Sequence, residues 1–73
     1  MTDKELIKQA ANEVLDAVMM AEQLGAPALY DGIARIQDLA GQCKTTGSRQ
    51  SVMNHVEALA NQIMTLKGAS SGT

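Results

Sequence analysis

The sequence VMNHVEALANQIMTL, residues 52–66, decides the fold of this chain. Its large branched apolar residues are separated by four, three, four and three positions, which places them along one side of an α-helix. They are Val52, Val56, Leu59, Ile63 and Leu66. Two further amphipathic stripes precede this one, so the sequence predicts an all-α protein that consists of short helices. The earlier stripes are Ile7, Ala10, Val14, Ala17, Ala21 and Leu24, followed by Leu29, Ile33, Ile36, Ala40 and Cys43.

The first helix is predicted over residues 3–24. Thr2 and Glu5 have the spacing of a capping box, in which each side chain accepts a hydrogen bond from the other residue's backbone N–H. Gly25 is typical of the residue that follows a helix, and Pro27 disfavours continuation of the helix. Local signals therefore predict both ends of this helix.

The second and third helices are predicted over residues 28–43 and 48–67, with a polar break between them. Either Thr46 or Ser48 is expected to cap the third helix. Residues 68–73 have the small, polar composition of a flexible linker, and we expect them to form a disordered tail.

Two glycines, Gly32 and Gly41, lie inside the predicted second helix. A glycine in a helix costs about 1 kcal/mol relative to alanine, so these residues either weaken the helix or admit a close neighbour. The short connections between the segments favour antiparallel neighbours. The sequence thus predicts a small antiparallel bundle of three helices, or a helical hairpin that pairs with a second copy.

The length of 73 residues corresponds to a single helical domain, residues 1–67, followed by the tail. The chain has no Phe or Trp and only one Tyr, so the side chains that usually anchor a core are scarce. A core this small is marginal for an isolated monomer. Association with a protein partner or with further copies as a homo-oligomer would bury additional apolar surface.

The composition also disfavours several classes of function. The net charge is −2 and the basic residues are scattered, which argues against a general nucleic-acid or membrane-surface binder. Cys43 is the only cysteine and His55 the only histidine, so an internal disulfide and a metal cluster of cysteine and histidine ligands both lack members. We expect no cofactor, no metal and no enzymatic activity. The lone cysteine and the lack of a signal or membrane-spanning pattern favour a cytoplasmic location.

Three apolar residues of the first helix, Leu15, Met19 and Met20, lie outside its core-facing stripe. A helix that is apolar nearly all round is typical of one covered from two sides. We predict that these residues bind a partner, with Tyr30 as a further anchor. The predicted function is a protein–protein interaction module of the adaptor, co-chaperone or inhibitor type, a layout also found among small phage-encoded and bacterial accessory proteins.

A DNA-binding regulator is the first alternative. The twelve residues SRQSVMNHVEAL, 48–59, resemble the recognition helix of helix-turn-helix regulators. This resemblance implies that the helix over residues 48–67 contacts base edges in the major groove. The residues that would contact DNA or another anion are Ser48, Arg49, Gln50, Asn54 and His55.

A small-ligand sequestering protein is the second alternative. The sequence Thr46-Gly47-Ser48-Arg49 stands at a predicted helix start, where free backbone N–H groups favour an anion such as a nucleotide phosphate. In size and helical content the chain is similar to small oligomeric phage proteins that sequester nucleotide signals. Both alternatives remain open on the sequence.

Overall fold

Three α-helices make up the fold: α1 (Asp3–Leu24), α2 (Ala26–Gln42) and α3 (Thr46–Ser71). The structure, a computed structural model, describes the backbone of residues 2–71 and the side chains of residues 2–66. Each helix packs against both of the others, and the short connections make successive helices antiparallel. The predicted all-α bundle is confirmed, in its three-helix form.

The capping box at the start of α1 is present. The Glu5 N–H donates to Thr2 Oγ1 over 3.2 Å, and the Thr2 N–H donates to Glu5 Oε1 over 3.3 Å. Two of the N–H groups that a helix start leaves without partners are satisfied in this way. As a result, α1 begins at Asp3 and covers the residues that its local signals predict.

A single residue, Gly25, connects α1 to α2. Its backbone angles are φ 77° and ψ −159°, a combination that side chains of L-amino acids rarely permit. The Gly25 N–H donates to the carbonyl of Ala21 over 2.9 Å, and the Ala28 N–H donates to the Gly25 carbonyl over 3.1 Å. Because Gly25 ends one helix and begins the next, α2 starts at Ala26, two residues before the predicted start at residue 28.

The turn between α2 and α3 is also tighter than the sequence predicts. Cys43 has extended backbone, with φ −68° and ψ 139°, so α2 ends at Gln42 rather than at residue 43. The Ser48 N–H donates to Thr45 Oγ1 over 3.2 Å. Thr45, and not Thr46 or Ser48, therefore caps α3, and the helix begins two residues before the predicted start.

The backbone of α3 stays helical past its predicted end at residue 67 and reaches Ser71. Gly68, the first residue of the predicted tail, lies within this helix. Glycine weakens a helix by about 1 kcal/mol but does not break it, as proline does. Residues 72–73 of the predicted tail lie outside the described residues.

The core lies along the three predicted stripes. No polar or charged side chain is buried among the described residues. The buried apolar residues are Leu6, Ala10, Ala17, Ala28, Leu29, Ile36, Ala40, Cys43, Val52, Leu59 and Ile63. The stripe residues Leu24 and Leu66 are exceptions, because 59% and 41% of their surfaces are exposed.

The three helices meet closely at Gly32. A Cβ atom at this position would lie 2.7 Å from Ala17 Cβ and 3.1 Å from Leu59 Cδ1, so only glycine fits between α1 and α3. Around Gly41, by contrast, nothing lies within 4 Å of such an atom. Of the two interpretations of these glycines, the close neighbour applies to Gly32 and not to Gly41.

Candidate functional site

The exposed large apolar side chains lie at one end of the bundle. They occupy the second half of α1, the first half of α2 and the last described side chains of α3, and the antiparallel topology brings these segments together beside the Gly25 turn. We call this surface the apolar end. Its residues are Leu15, Met19, Met20, Leu24, Tyr30, Met64 and Leu66.

All four residues predicted to bind a partner belong to the apolar end. Leu15 and Met19 are 64% and 67% exposed, and Met20 and Tyr30 are about half exposed. Their exposure agrees with the predicted role, and the binding itself stays a prediction. Three further members of this surface, Leu24, Met64 and Leu66, are not among the partner-binding residues predicted from the sequence.

A groove with a volume of about 250 Å³ runs between α1 and α3 at the apolar end. Buried Leu29 forms its floor, with half-buried Val18 and Ala21 on the α1 side. The remaining lining residues, Glu22, Gln62 and Leu66, are exposed at its rim.

On α1, Leu15 and Met19 neighbour the groove. Leu15 lies three positions before Val18, and Met19 three before Glu22, so these pairs are adjacent on the helix surface. The apolar surface therefore continues from the groove onto the outer face of α1.

A second and smaller groove, of about 50 Å³, lies between α1 and α2. Met20 and Leu24 line it together with Asp31 and Arg35. Arg35 Nη1 forms an exposed ion pair with Glu13 Oε2 at 3.3 Å. Pairs of this kind contribute little to stability, and the small volume makes this groove the weaker candidate for a binding site.

Acidic residues outnumber basic ones around the apolar end. Residues 14–34 and 56–66 contain four carboxylates and no lysine or arginine; the next basic residues along the chain are Arg35 and Lys67. At the opposite end, residues 1–8 and 42–51 contain four basic and two acidic residues. The four carboxylates of the apolar end are those of Asp16, Glu22, Asp31 and Glu57.

The opposite end of the bundle is closed by hydrogen bonds to Asp3. Its carboxylate accepts the Lys44 N–H at 3.0 and 3.1 Å, the Thr45 N–H at 3.1 Å and the Thr45 hydroxyl at 3.1 Å. The Lys44 N–H, followed by the two Thr45 donors, holds the pKa of Asp3 below its ordinary value of 3.8. We call Asp3, Lys44, Thr45 and Ser48 the polar end.

Ser48 and Arg49, predicted as alternative DNA or anion contacts, lie at or beside this polar end. The Ser48 hydroxyl oxygen lies 2.8 Å from Thr45 Oγ1, within the cap of α3. Arg49 Nη2 donates to the carbonyl oxygen of Cys43 over 3.4 Å. Both residues thus contribute to the α2–α3 turn, and an anion contact by them stays a prediction.

The other three predicted DNA contacts lie further along α3. Gln50 Nε2 donates to Asn54 Oδ1 over 3.3 Å, and His55 Nδ1 lies 2.9 Å from the carbonyl oxygen of Ser51. Bonds of this type within one helix are common on solvated faces. They do not test DNA binding, which stays a prediction.

Two further features bear on the chemistry of the chain. Cys43 is buried and its Sγ lies 3.6 Å from the carbonyl oxygen of Leu39. Within residues 2–71, no group of three or more His, Cys, Asp or Glu residues is arranged to hold a metal ion.

Within residues 2–71, the helices are too short or too polar to cross a membrane. The chain matches no protein-family model, and comparisons with curated proteins and with solved structures find no significant similarity.

Proposed function

We propose that this chain is a non-enzymatic interaction module whose apolar end binds another protein. One observation carries the proposal: all the exposed large apolar side chains of the described residues lie at one end of the bundle. Scattered exposed apolar residues are normal on a protein surface, whereas a contiguous group marks an interaction site.

The core does not need these side chains. Leu6, Leu29, Ile36, Val52 and Leu59 are almost completely buried, and no buried side-chain nitrogen or oxygen among the described residues lacks a hydrogen-bond partner. The bundle is therefore already filled where its helices meet. The side chains of the apolar end lie outside this core and keep between 41% and 69% of their surfaces exposed, so a partner that covers them is the better explanation.

The energy available at the apolar end fits reversible binding. Complete burial of a large apolar side chain is worth about 1.5–3 kcal/mol, so covering seven that are already partly buried gives roughly 5–10 kcal/mol. Association costs about 4–15 kcal/mol in lost motion. The free energy gained from apolar contact alone is thus about equal to the cost of association. Polar contacts at the rim must therefore decide which partner is bound.

Three of the seven residues are methionines, Met19, Met20 and Met64. Methionine is unbranched and repacks at low cost, which suits a surface that adapts to the shape of a partner. This composition supports a binding surface of the adaptor, co-chaperone or inhibitor type.

Charge placed on the apolar end tests the proposal. Leu15→Glu and Met19→Glu should abolish self-association in sedimentation experiments, or capture of the partner from the native cell, because a carboxylate would have to be desolvated in the contact. Helicity by circular dichroism should not change, since both side chains point to solvent. Asn12→Glu is the matched control: it introduces the same charge on the same side of α1, seven positions before Met19.

A chain that is monomeric at high concentration, and whose captured partners are unaffected by Leu15→Glu and Met19→Glu, would contradict the proposal. Loss of binding in Asn12→Glu to the same degree would show that net charge, rather than the apolar end, controls the interaction.

A further inference from the structure

We infer that the occupant of the α1–α3 groove is an amphipathic helix of a partner protein that carries basic residues beside its apolar stripe. This inference rests on the proposed function and adds the chemistry of the partner. It combines the shape of the groove with the distribution of charge around it.

The shape of the groove suits a helix. The groove lies between two helices of the bundle, and a third helix packed along such a groove is a common mode of recognition in which residues spaced three and four apart enter it. From Leu15 to Glu22 the accessible surface of α1 extends for about 10 Å, or two helical turns. The volume of about 250 Å³ has room for one or two large apolar side chains of such a helix.

The charge around the groove selects a basic partner. Of the six lining residues, Glu22 is acidic and none is basic. Glu22 lies exposed at the rim of the groove, so lysine or arginine beside the apolar stripe of a partner helix would face its carboxylate. Such complementarity favours correct encounter and register.

The same charges disfavour a second copy of this chain as the occupant. In a two-fold dimer formed through the apolar end, each surface faces its own equivalent. Each copy would then bring the same groove, with acidic Glu22 and no basic lining residue, to the interface, so no lysine or arginine of the groove would pair with Glu22. A partner of opposite charge supplies this pairing.

Two synthetic peptides test the inference. Each is an alanine-rich helix of about 18 residues with leucines at positions i, i+3, i+4 and i+7; one has lysines beside the leucines, and the other has glutamates. Fluorescence anisotropy with the full chain should show binding of the lysine peptide at least about tenfold tighter than of the glutamate peptide. Raising the salt from about 50 to 500 mM should reduce this difference.

Charge reversal at single residues of the chain shows where the preference for the lysine peptide arises. Glu22→Lys should weaken the lysine peptide by about tenfold or more, because it places a positive charge at the rim of the groove. Asp38→Lys makes the same change of net charge on α2, away from the groove, and should alter binding by less than about twofold. Amide NMR shifts at Val18, Ala21 and Leu29 should follow the titration.

Several outcomes would overturn the inference: no binding of either peptide, equal binding of both, or equal effects of Glu22→Lys and Asp38→Lys. Equal binding that Leu15→Glu nevertheless abolishes would reject the basic partner and leave the apolar docking surface supported. Self-association that Leu15→Glu abolishes, without binding of either peptide, would identify a second copy as the occupant and reject the inference alone.

Discussion

The two ends of this bundle differ in how far contacts within the chain satisfy their groups. At the polar end, Asp3 accepts hydrogen bonds from Lys44 and Thr45, so the start of α1 satisfies the turn between the other two helices. At the apolar end, one glycine makes the turn, and the described residues cover the large side chains around it only in part.

This difference separates structural from binding roles within one small fold. Hydrogen bonds that bridge distant segments hold the arrangement of the helices, and they lie where no binding is proposed. Apolar side chains add to stability only when they are covered, so those of the apolar end are free to change without loss of the fold. Substitutions at the two ends should therefore have different consequences.

The largest effect is expected at the Gly25 turn. Gly25→Ala forces a side chain into φ 77° and ψ −159°, a region populated almost only by glycine, at a cost of about 1–3 kcal/mol. For a chain of this size we expect the melting temperature to fall by roughly 5–20 °C. D-Alanine, introduced by chemical synthesis, prefers the mirror-image angles and should preserve stability. Equal losses of stability with L-alanine and D-alanine would show that the space for a side chain, and not the backbone conformation, determines the effect.

A smaller effect, of opposite sign at two sites, is expected from the glycines of α2. Gly32→Ala should destabilise by about 1–2 kcal/mol, because overpacking against Ala17 outweighs the gain in helix propensity. Gly41→Ala meets no neighbour and should stabilise by about 0.5–1 kcal/mol. Urea unfolding of the two variants measures both values. Stabilisation by Gly32→Ala would mean that the helices can separate there at little cost.

The smallest effect is expected at the polar end, and it depends on pH. Because donors lower the pKa of Asp3 in the folded state, its contribution to stability is present above the ordinary value of 3.8 and is lost as pH falls through the lower folded value. Asp3→Asn should lower the melting temperature at pH 7 and reduce the wild-type loss of stability below pH 3.8. Glu5, whose pKa is lowered by the Thr2 N–H, accounts for acid sensitivity that the variant retains.

Asp16→Asn is the control for this prediction, since it removes an exposed carboxylate from the middle of α1. Its melting temperature at pH 7 should stay close to that of the wild type. If both variants show the wild-type profile, the hydrogen bonds to Asp3 do not hold the polar end together.

Helix α1 was the most predictable element because its signals act locally. Thr2 and Glu5 bond to each other, and Gly25 bonds to a carbonyl four positions earlier. The starts of α2 and α3 were each misplaced by two residues, since Gly25 and Thr45 serve as caps only in the tight turns that the packed bundle imposes.

Other features depend on contacts between segments that are distant in sequence. Asp3 accepts from a backbone group 41 positions away, and Gly32 is required because Ala17 and Leu59 meet there. The periodicity of apolar residues identifies the side of a helix that faces its neighbours. It does not show over what length of that side the neighbouring helices cover it. For this reason Leu24 and Leu66 were assigned to the core, and the apolar end was only partly predicted.

The one-residue connection at Gly25 also has a consequence for the folding pathway. Short loops close at low entropic cost, so we expect the hairpin of α1 and α2 to form before α3 docks on it. The hydrogen bonds to Asp3 join segments 41 and 42 positions apart and should form late. Pulse-labelled hydrogen exchange with earliest protection in α3 would contradict this order. On this pathway the tip of the hairpin takes shape first, and the groove proposed to bind a partner is complete only when Gln62 and Leu66 of α3 have docked beside it.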